Sequence, residues 1–281
     1  MISVSLAQIK TSLGNIKENA YKHFELIEKA IEDKYDLIVF PELSLTGYNL
    51  RDLVYNVSLN QESDIIKKIK DYSKYISIVT GFVYEDKRHL FYNASGYFEG
   101  GEILHIHKKV FLPNYTMFEE SRYFAKGDSF TAFDTKYFRC GILICEDALH
   151  ISSILSLTRQ DVDTVIVVSN SPARGIFEDS FYPEELWYNT LKFAATNLTV
   201  NVIFVNRVGV EEGITFWGGS TVFSPFGKSI LKLPLLKEEV KGVKIDLKEL
   251  RRSRIHSPFL KGEDFAMIKK LVRNCGDVDE Y

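Results

Sequence analysis

Gly141-Ile142-Leu143-Ile144-Cys145-Glu146-Asp147 is an apolar run that stops at a cysteine followed by two acids. So short a run reads as a strand buried on both faces, and the acids that end it demand solvent or partners. The thiol of Cys145 is therefore delivered to the edge of a polar pocket. Cys140, inside the same segment, reads as a small core hydrophobe, the usual fate of a free cysteine.

Similar runs recur outward along the chain: Val4 to Ile9, Leu37 to Phe40, Ile76 to Val83, Val165 to Val168 and Val202 to Val205. Tyr92 to Phe98, Glu102 to Lys108 and Gly218 to Phe223 read as further strands, with turns at Gly100-Gly101 and Pro225-Phe226-Gly227. Helical spacing appears between them. Phe24, Ile27 and Ile31 share a face within 19–33, Ile65, Ile66, Ile69 and Tyr72 do so after Gln61, and Leu186, Trp187 and Leu191 mark the inner side of a helix over 183–197. Interleaved strands and helices predict a layered α/β fold with sheet inside and helices outside.

The 281 residues, 45% hydrophobic, suffice for one large core. Thirty-five basic against thirty-eight acidic side chains leave a net charge of -3, too balanced for a protein built around phosphate backbones, so no nucleic-acid partner is expected. No apolar stretch approaches the roughly 20 residues that span a bilayer. The start, Met1 to Ile9, alternates like a strand and lacks the pattern of a secretory signal, so an intact, cytoplasmic chain is expected. Cys140, Cys145 and Cys275 are too few and too irregularly placed for a disulfide framework or a zinc site.

Two other segments offer what a reactive thiol needs. Glu42 follows Asp36-Leu37-Ile38-Val39-Phe40-Pro41, where a buried strand emerges and Pro41 stops its ladder. Strand ends of this kind carry the sites of α/β folds, and a buried carboxylate can serve as a base near neutrality. Lys109 ends His105-Ile106-His107-Lys108-Lys109, whose alternation puts 105, 107 and 109 on one face, so only one of the two lysines points inward. Val110-Phe111-Leu112-Pro113 then carries the chain into a packed region, and an ammonium held there can stabilise an oxyanion.

Taken in order, Glu42, Lys109 and Cys145 in these contexts resemble the nitrilase or carbon-nitrogen hydrolase superfamily. The resemblance extends through Asn170-Ser171-Pro172, Phe216-Trp217-Gly218-Gly219-Ser220 and Arg251 to Pro258. It implies a four-layer α-β-β-α sandwich, a hydrolase domain over 1–260, and a C-terminal extension over 261–281 that reaches over a partner in a homodimer or larger homo-oligomer. It also implies Cys145 as nucleophile, Glu42 as general base and Lys109 as stabiliser of the tetrahedral intermediate, with no metal and no organic cofactor. Glu120 resembles the supporting second glutamate; Glu119 is its rival.

Within the superfamily, Cys145-Glu146-Asp147 and the stretch from Leu112 to Phe124 look most like the glutaminase domain of glutamine-dependent NAD synthetases. That likeness assigns Tyr115, Glu146 and Ser171 to substrate, and a carboxylate in the pocket suits the amino group of an amino-acid amide. The basic residue expected several places after the serine is replaced by Phe177, leaving Arg174 as candidate carboxylate clamp. Trp217, before two glycines, is a candidate pocket wall. No Ser-Gly-Gly type phosphate loop precedes Tyr281, so the expectation is a stand-alone amidase acting on a small linear, glutamine-like or ω-amide substrate. The alternatives are a nitrile or N-carbamoyl hydrolase using the same residues and a catalytically silent scaffold, against which the intact Glu42, Lys109 and Cys145 argue.

Overall fold

Neighbouring side chains along the central strands belong to different cores, and this divides the molecule into layers. The computed structural model describes residues 1–173, 176, 177 and 180–274. One sheet contains β1 (Ile2–Gln8), β2 (Leu37–Val39), β3 (Ser77–Glu85), β4 (Phe91–Glu99) and β5 (Glu102–Lys108) in that spatial order. The other runs through β6 (Phe133–Asp134), β7 (Arg139–Ile144) and β8 (Thr164–Ser169). After the short pair β9 (Ile176–Phe177) and β10 (Ser180–Phe181), it continues with β11 (Asn201–Asn206) beside β8. The hairpin β12 (Val208–Glu211) and β13 (Ile214–Trp217) follows. β14 (Thr221–Phe223) and β15 (Ser229–Lys232) complete the second sheet, and β16 (Glu239–Ile245) returns to edge the first beside β1.

Val4, Leu6 and Val39 of the first sheet meet Ile142, Ile144, Ile166, Val168 and Ile203 of the second in one shared core. The opposite faces bury helices. Ile38, Ile78 and Phe82 pack on α1 (Ile16–Glu32) and, after the single turn α2 (Val54–Val57), on α3 (Asp64–Tyr72). Beyond the single turn α4 (Glu120–Tyr123), Leu143, Val165, Val167 and Phe204 pack on α5 (Ile151–Thr158) and α6 (Tyr182–Asn197). The result is the expected α-β-β-α sandwich. The last described elements are α7 (Lys248–His256), α8 (Phe259–Gly262) and α9 (Phe265–Asn274), and among the described residues no helix is long and apolar enough to cross a membrane.

Two details depart from the expectations. Leu186 faces outward, because the buried stripe of α6 is Trp187, Leu191, Ala194 and Ala195, four and then three residues apart. The strand expected from Gly218 starts only at Thr221, because Gly218 and Gly219 sit at φ +75° and +61°, a left-handed backbone that cannot continue a ladder.

β1, β2 and β3 are mutually parallel, as are β7, β8 and β11, so the carboxyl ends of three strands gather at one edge of each sheet. The loop after β2 is locked from below by His23 of α1, whose Nε2 lies 3.0 Å from Ser44 Oγ and whose ring stacks on Phe40 at 4.0 Å. Burial pushes this imidazole down to about 3, well under its ordinary value near 6.5. Folding therefore requires the neutral ring, and stability present above pH 6.5 is lost as pH falls toward 3. At pH 5 the loss from this ring amounts to about 2 kcal/mol. In urea titrations at pH 7.5 and pH 5, His23→Gln should lose less stability between the two conditions than the parent; equal losses would exclude His23 as the source.

Candidate active site

Lys109 leaves β5 in the register that the alternation predicts: its side chain is buried, while Lys108 turns outward over the ring of Tyr92 at 3.8 Å. A buried ammonium needs anionic partners, and Lys109 has two. Its Nζ donates to Glu42 Oε1 at 2.8 Å and to Glu120 Oε1 at 2.7 Å. Burial acts to lower the affinity of this amine for its proton, but the carboxylates of Glu120 and Glu42 outweigh it and hold the ammonium well above the usual lysine range. Glu119 is exposed and faces Arg122, so Glu120 is the glutamate that turns inward.

Glu42 is fixed on all sides. Asn93 Nδ2 donates to Oε1 at 2.8 Å, the backbone N–H of Asn170 donates to Oε2 at 2.7 Å, and Asn170 Nδ2 donates to the Glu42 carbonyl at 2.9 Å. The last two bonds join the carboxyl end of β2 to that of β8, and thus one sheet to the other. Glu120 receives a further bond from the Tyr48 hydroxyl at 2.7 Å. Its burial and the nearby charge of Glu42 push its carboxyl up to about 7, against the pull of Lys109.

Cys145 follows β7 at φ +45°, an uncommon left-handed conformation for a residue with a Cβ, which turns the chain sharply out of the strand. Ser169 Oγ at the end of β8 donates to its Sγ at 3.3 Å. Burial raises the thiol's proton affinity strongly, the charge of Glu42 adds to this, and Lys109 opposes it. The sulfur therefore rests protonated within the electrostatic reach of Glu42, Lys109 and Glu120.

Tyr115 and Glu146 lie side by side, phenol donating to carboxylate at 2.8 Å, and both line a cleft of about 680 Å³ with Phe111 and His150. A second cleft of about 590 Å³ opens beside Tyr48, Phe118 and Glu120. Ser171 is buried, and its Oγ accepts from the indole N–H of Trp187 at 2.9 Å and of Trp217 at 3.0 Å. Trp217 is wholly buried, so it supports Ser171 from beneath instead of forming an open wall. Arg174 lies outside the described residues. No group of three or more His, Cys, Asp or Glu side chains among the described residues is arranged to hold a metal ion.

Sequence reasoning passed over Asn93, Tyr48 and Ser169 as site residues. Asn93 shares the inward face of β4 with Tyr97, which carried a signal for it; nothing local distinguished Tyr48 or Ser169. It also passed over two glycines that admit the backbones of the key residues. A Cβ on Gly81 would stand 2.3 Å from Leu43 N and 2.8 Å from Glu42 C, and one on Gly127 would stand 2.2 Å from Lys108 O. Because backbone is what blocks the space, Gly81→Ala should displace the Glu42 loop and destabilise the fold by about 1–3 kcal/mol. Gly262→Ala, where a Cβ would meet nothing within 4 Å, is the control. Thermal unfolding should separate the two variants by several degrees; coincident midpoints would contradict the close approach.

Residues 3–255 match the family described as Carbon-nitrogen hydrolase. A glutamine-dependent NAD(+) synthetase of Acinetobacter baylyi is 32% identical over 256 residues, 90% of this chain and 46% of that protein. A probable nitrilase of Schizosaccharomyces pombe is 25% identical over 260 residues, 90% of this chain and 91% of its own length. Among solved structures, a carbon-nitrogen hydrolase from Helicobacter pylori G27 shares the fold with a TM-score of 0.83 at 21% identity, over 96% of this chain and 98% of that one. The chain spans about half the length of the curated synthetases that it matches. On the family match, this chain belongs to the carbon-nitrogen hydrolases.

Proposed function

We propose that the chain hydrolyses the carbon-nitrogen bond of a small linear amide, with glutamine or a similar ω-amide as first choice, through a thioester on Cys145. The observation that carries this reading is the buried Lys109 ammonium, bonded to Glu42 and Glu120 beside the Cys145 thiol. A neutral thiol is a poor nucleophile, so Glu42 takes its proton as the sulfur attacks the amide carbon. Lys109 and the backbone N–H of Glu146 receive the developing oxyanion. Collapse breaks the carbon-nitrogen bond, Glu42 returns the proton to the leaving nitrogen, and ammonia departs. Glu42 then removes a proton from water, the hydroxide attacks the thioester carbon, and the thiolate leaves and is reprotonated, releasing the carboxylic acid.

Glu146 beside Tyr115 supports an amino-acid amide, because a carboxylate at the cleft suits a substrate ammonium. Ser171 adds to this. With both indole N–H groups directed at its oxygen, the hydroxyl is left to donate, which suits a substrate carboxylate. The likeness to a glutamine-dependent synthetase points the same way, while the probable nitrilase relative keeps nitriles as the second reading.

Ammonia release across a panel of glutamine, other ω-amides, nitriles and N-carbamoyl compounds distinguishes these readings. Glutamine or another ω-amide should give the highest kcat/KM, and Cys145→Ala should lower kcat at least 1000-fold with the fold intact by circular dichroism. A profile confined to nitriles would overturn the substrate class, and full turnover by Cys145→Ala would overturn the mechanism.

A further inference from the structure

Cys145 and Lys109 come from different sheets, yet both must address one carbonyl group, the sulfur at its carbon and the ammonium at its oxygen. Something has to fix the end of β7 against the end of β5. Asp147, two residues after the cysteine, is wholly buried and touches both. Its Oδ2 accepts from the N–H of Ile144, immediately before Cys145, at 3.2 Å. Its Oδ1 accepts from the N–H of Val110 at 3.0 Å and of Phe111 at 2.8 Å, immediately after Lys109. His107, on the same buried face of β5 as Lys109, places Nε2 2.8 Å from Asp147 Oδ2. Its ring stacks on Phe130, with centroids 5.7 Å apart and the planes inclined by 28°.

We propose that Asp147 is a positioning residue that locks the Cys145 turn to the Lys109 strand, and that His107 orients its carboxylate. This rests on the amide-hydrolysing reading of the same site. The left-handed turn at Cys145 stores about 1–3 kcal/mol of backbone strain and persists only where its surroundings over-determine it. The Asp147 carboxylate supplies that constraint by bridging Ile144 on one side of the turn to Val110 and Phe111 on the other segment. A carboxylate bound by three N–H groups and one imidazole has no soft direction in which to relax, and the imidazole bond holds Oδ2 toward Ile144 while Oδ1 faces Val110 and Phe111. Misplacement of reacting groups by about 1 Å can cost on the order of 100-fold in rate, so the clamp acts on the chemical step through the other two residues.

The test uses the full chain with Asp147→Asn, His107→Leu and His107→Gln, the last retaining a side-chain donor that can reach Asp147. Three quantities are read: kcat and KM for the best amide, the rate at which iodoacetamide alkylates Cys145 followed by peptide mass, and the thermal midpoint. His107→Leu should lower kcat about tenfold with KM within threefold, and His107→Gln should recover most of the loss. Asp147→Asn should lower kcat at least 100-fold. Cys145 alkylation should slow at least fivefold in Asp147→Asn and His107→Leu, in that order of severity. If Asp147→Asn does not fold, the two His107 variants decide. The proposal falls if folded His107→Leu keeps kcat and alkylation within twofold of the parent, or if His107→Gln is as impaired as His107→Leu. If the parent turns over no amide yet alkylation follows the stated order, the positioning role stands and the amidase reading fails.

Discussion

An ammonium group out of reach of water sets the terms for this molecule. Moving a lysine side chain from water to a protein interior costs several kcal/mol unless anions meet it there. Lys109 is met by two, Glu42 and Glu120. Two carboxylates around one cation leave an excess of negative charge, and Glu120 absorbs it by holding its proton up to about 7. Burial, with the charge of Glu42 adding to it, keeps the Cys145 thiol neutral at rest. In the proposed mechanism a thiol held in that state becomes a nucleophile only when its proton has somewhere to go, which couples its activation to attack on a bound substrate.

The sandwich exists, in this sense, to bring those groups to one place. Glu42 arrives on the first sheet, Cys145 and Ser169 on the second, and the Asn170 bonds to Glu42 close the seam between them. Parallel strands direct their carboxyl ends to a common edge, where loops can carry polar groups without interrupting either core. Glycine is required where backbone runs against backbone: Gly81 under Glu42, and Gly127 against the carbonyl of Lys108.

Much of this was legible in the residues alone. The buried strands announced themselves as short β-branched runs, because a strand covered on both faces has no polar alternation to obscure it. The alternation of His105 to Lys109 showed that only one of the two lysines could face inward, and the apolar Val110 to Pro113 that follows pointed to Lys109, the one that is buried. Glu120 could not be separated from Glu119, because that choice depends on the single turn α4 and the path leading into it, which no periodicity records. Trp217 showed a similar limit: bulk beside two glycines fits a pocket wall or a core equally well, and only the bond to Ser171 placed it beneath the site. Asp147 read merely as the polar end of a strand, because its partners Val110 and Phe111 lie 37 and 36 residues away.

The most direct measurement is peptide mass analysis of enzyme quenched during turnover of its best amide. A thioester intermediate places the substrate's acyl group, the amide less ammonia, on the peptide bearing Cys145. Ammonia release with that peptide unmodified throughout, or with the acyl group on Cys140, would contradict it.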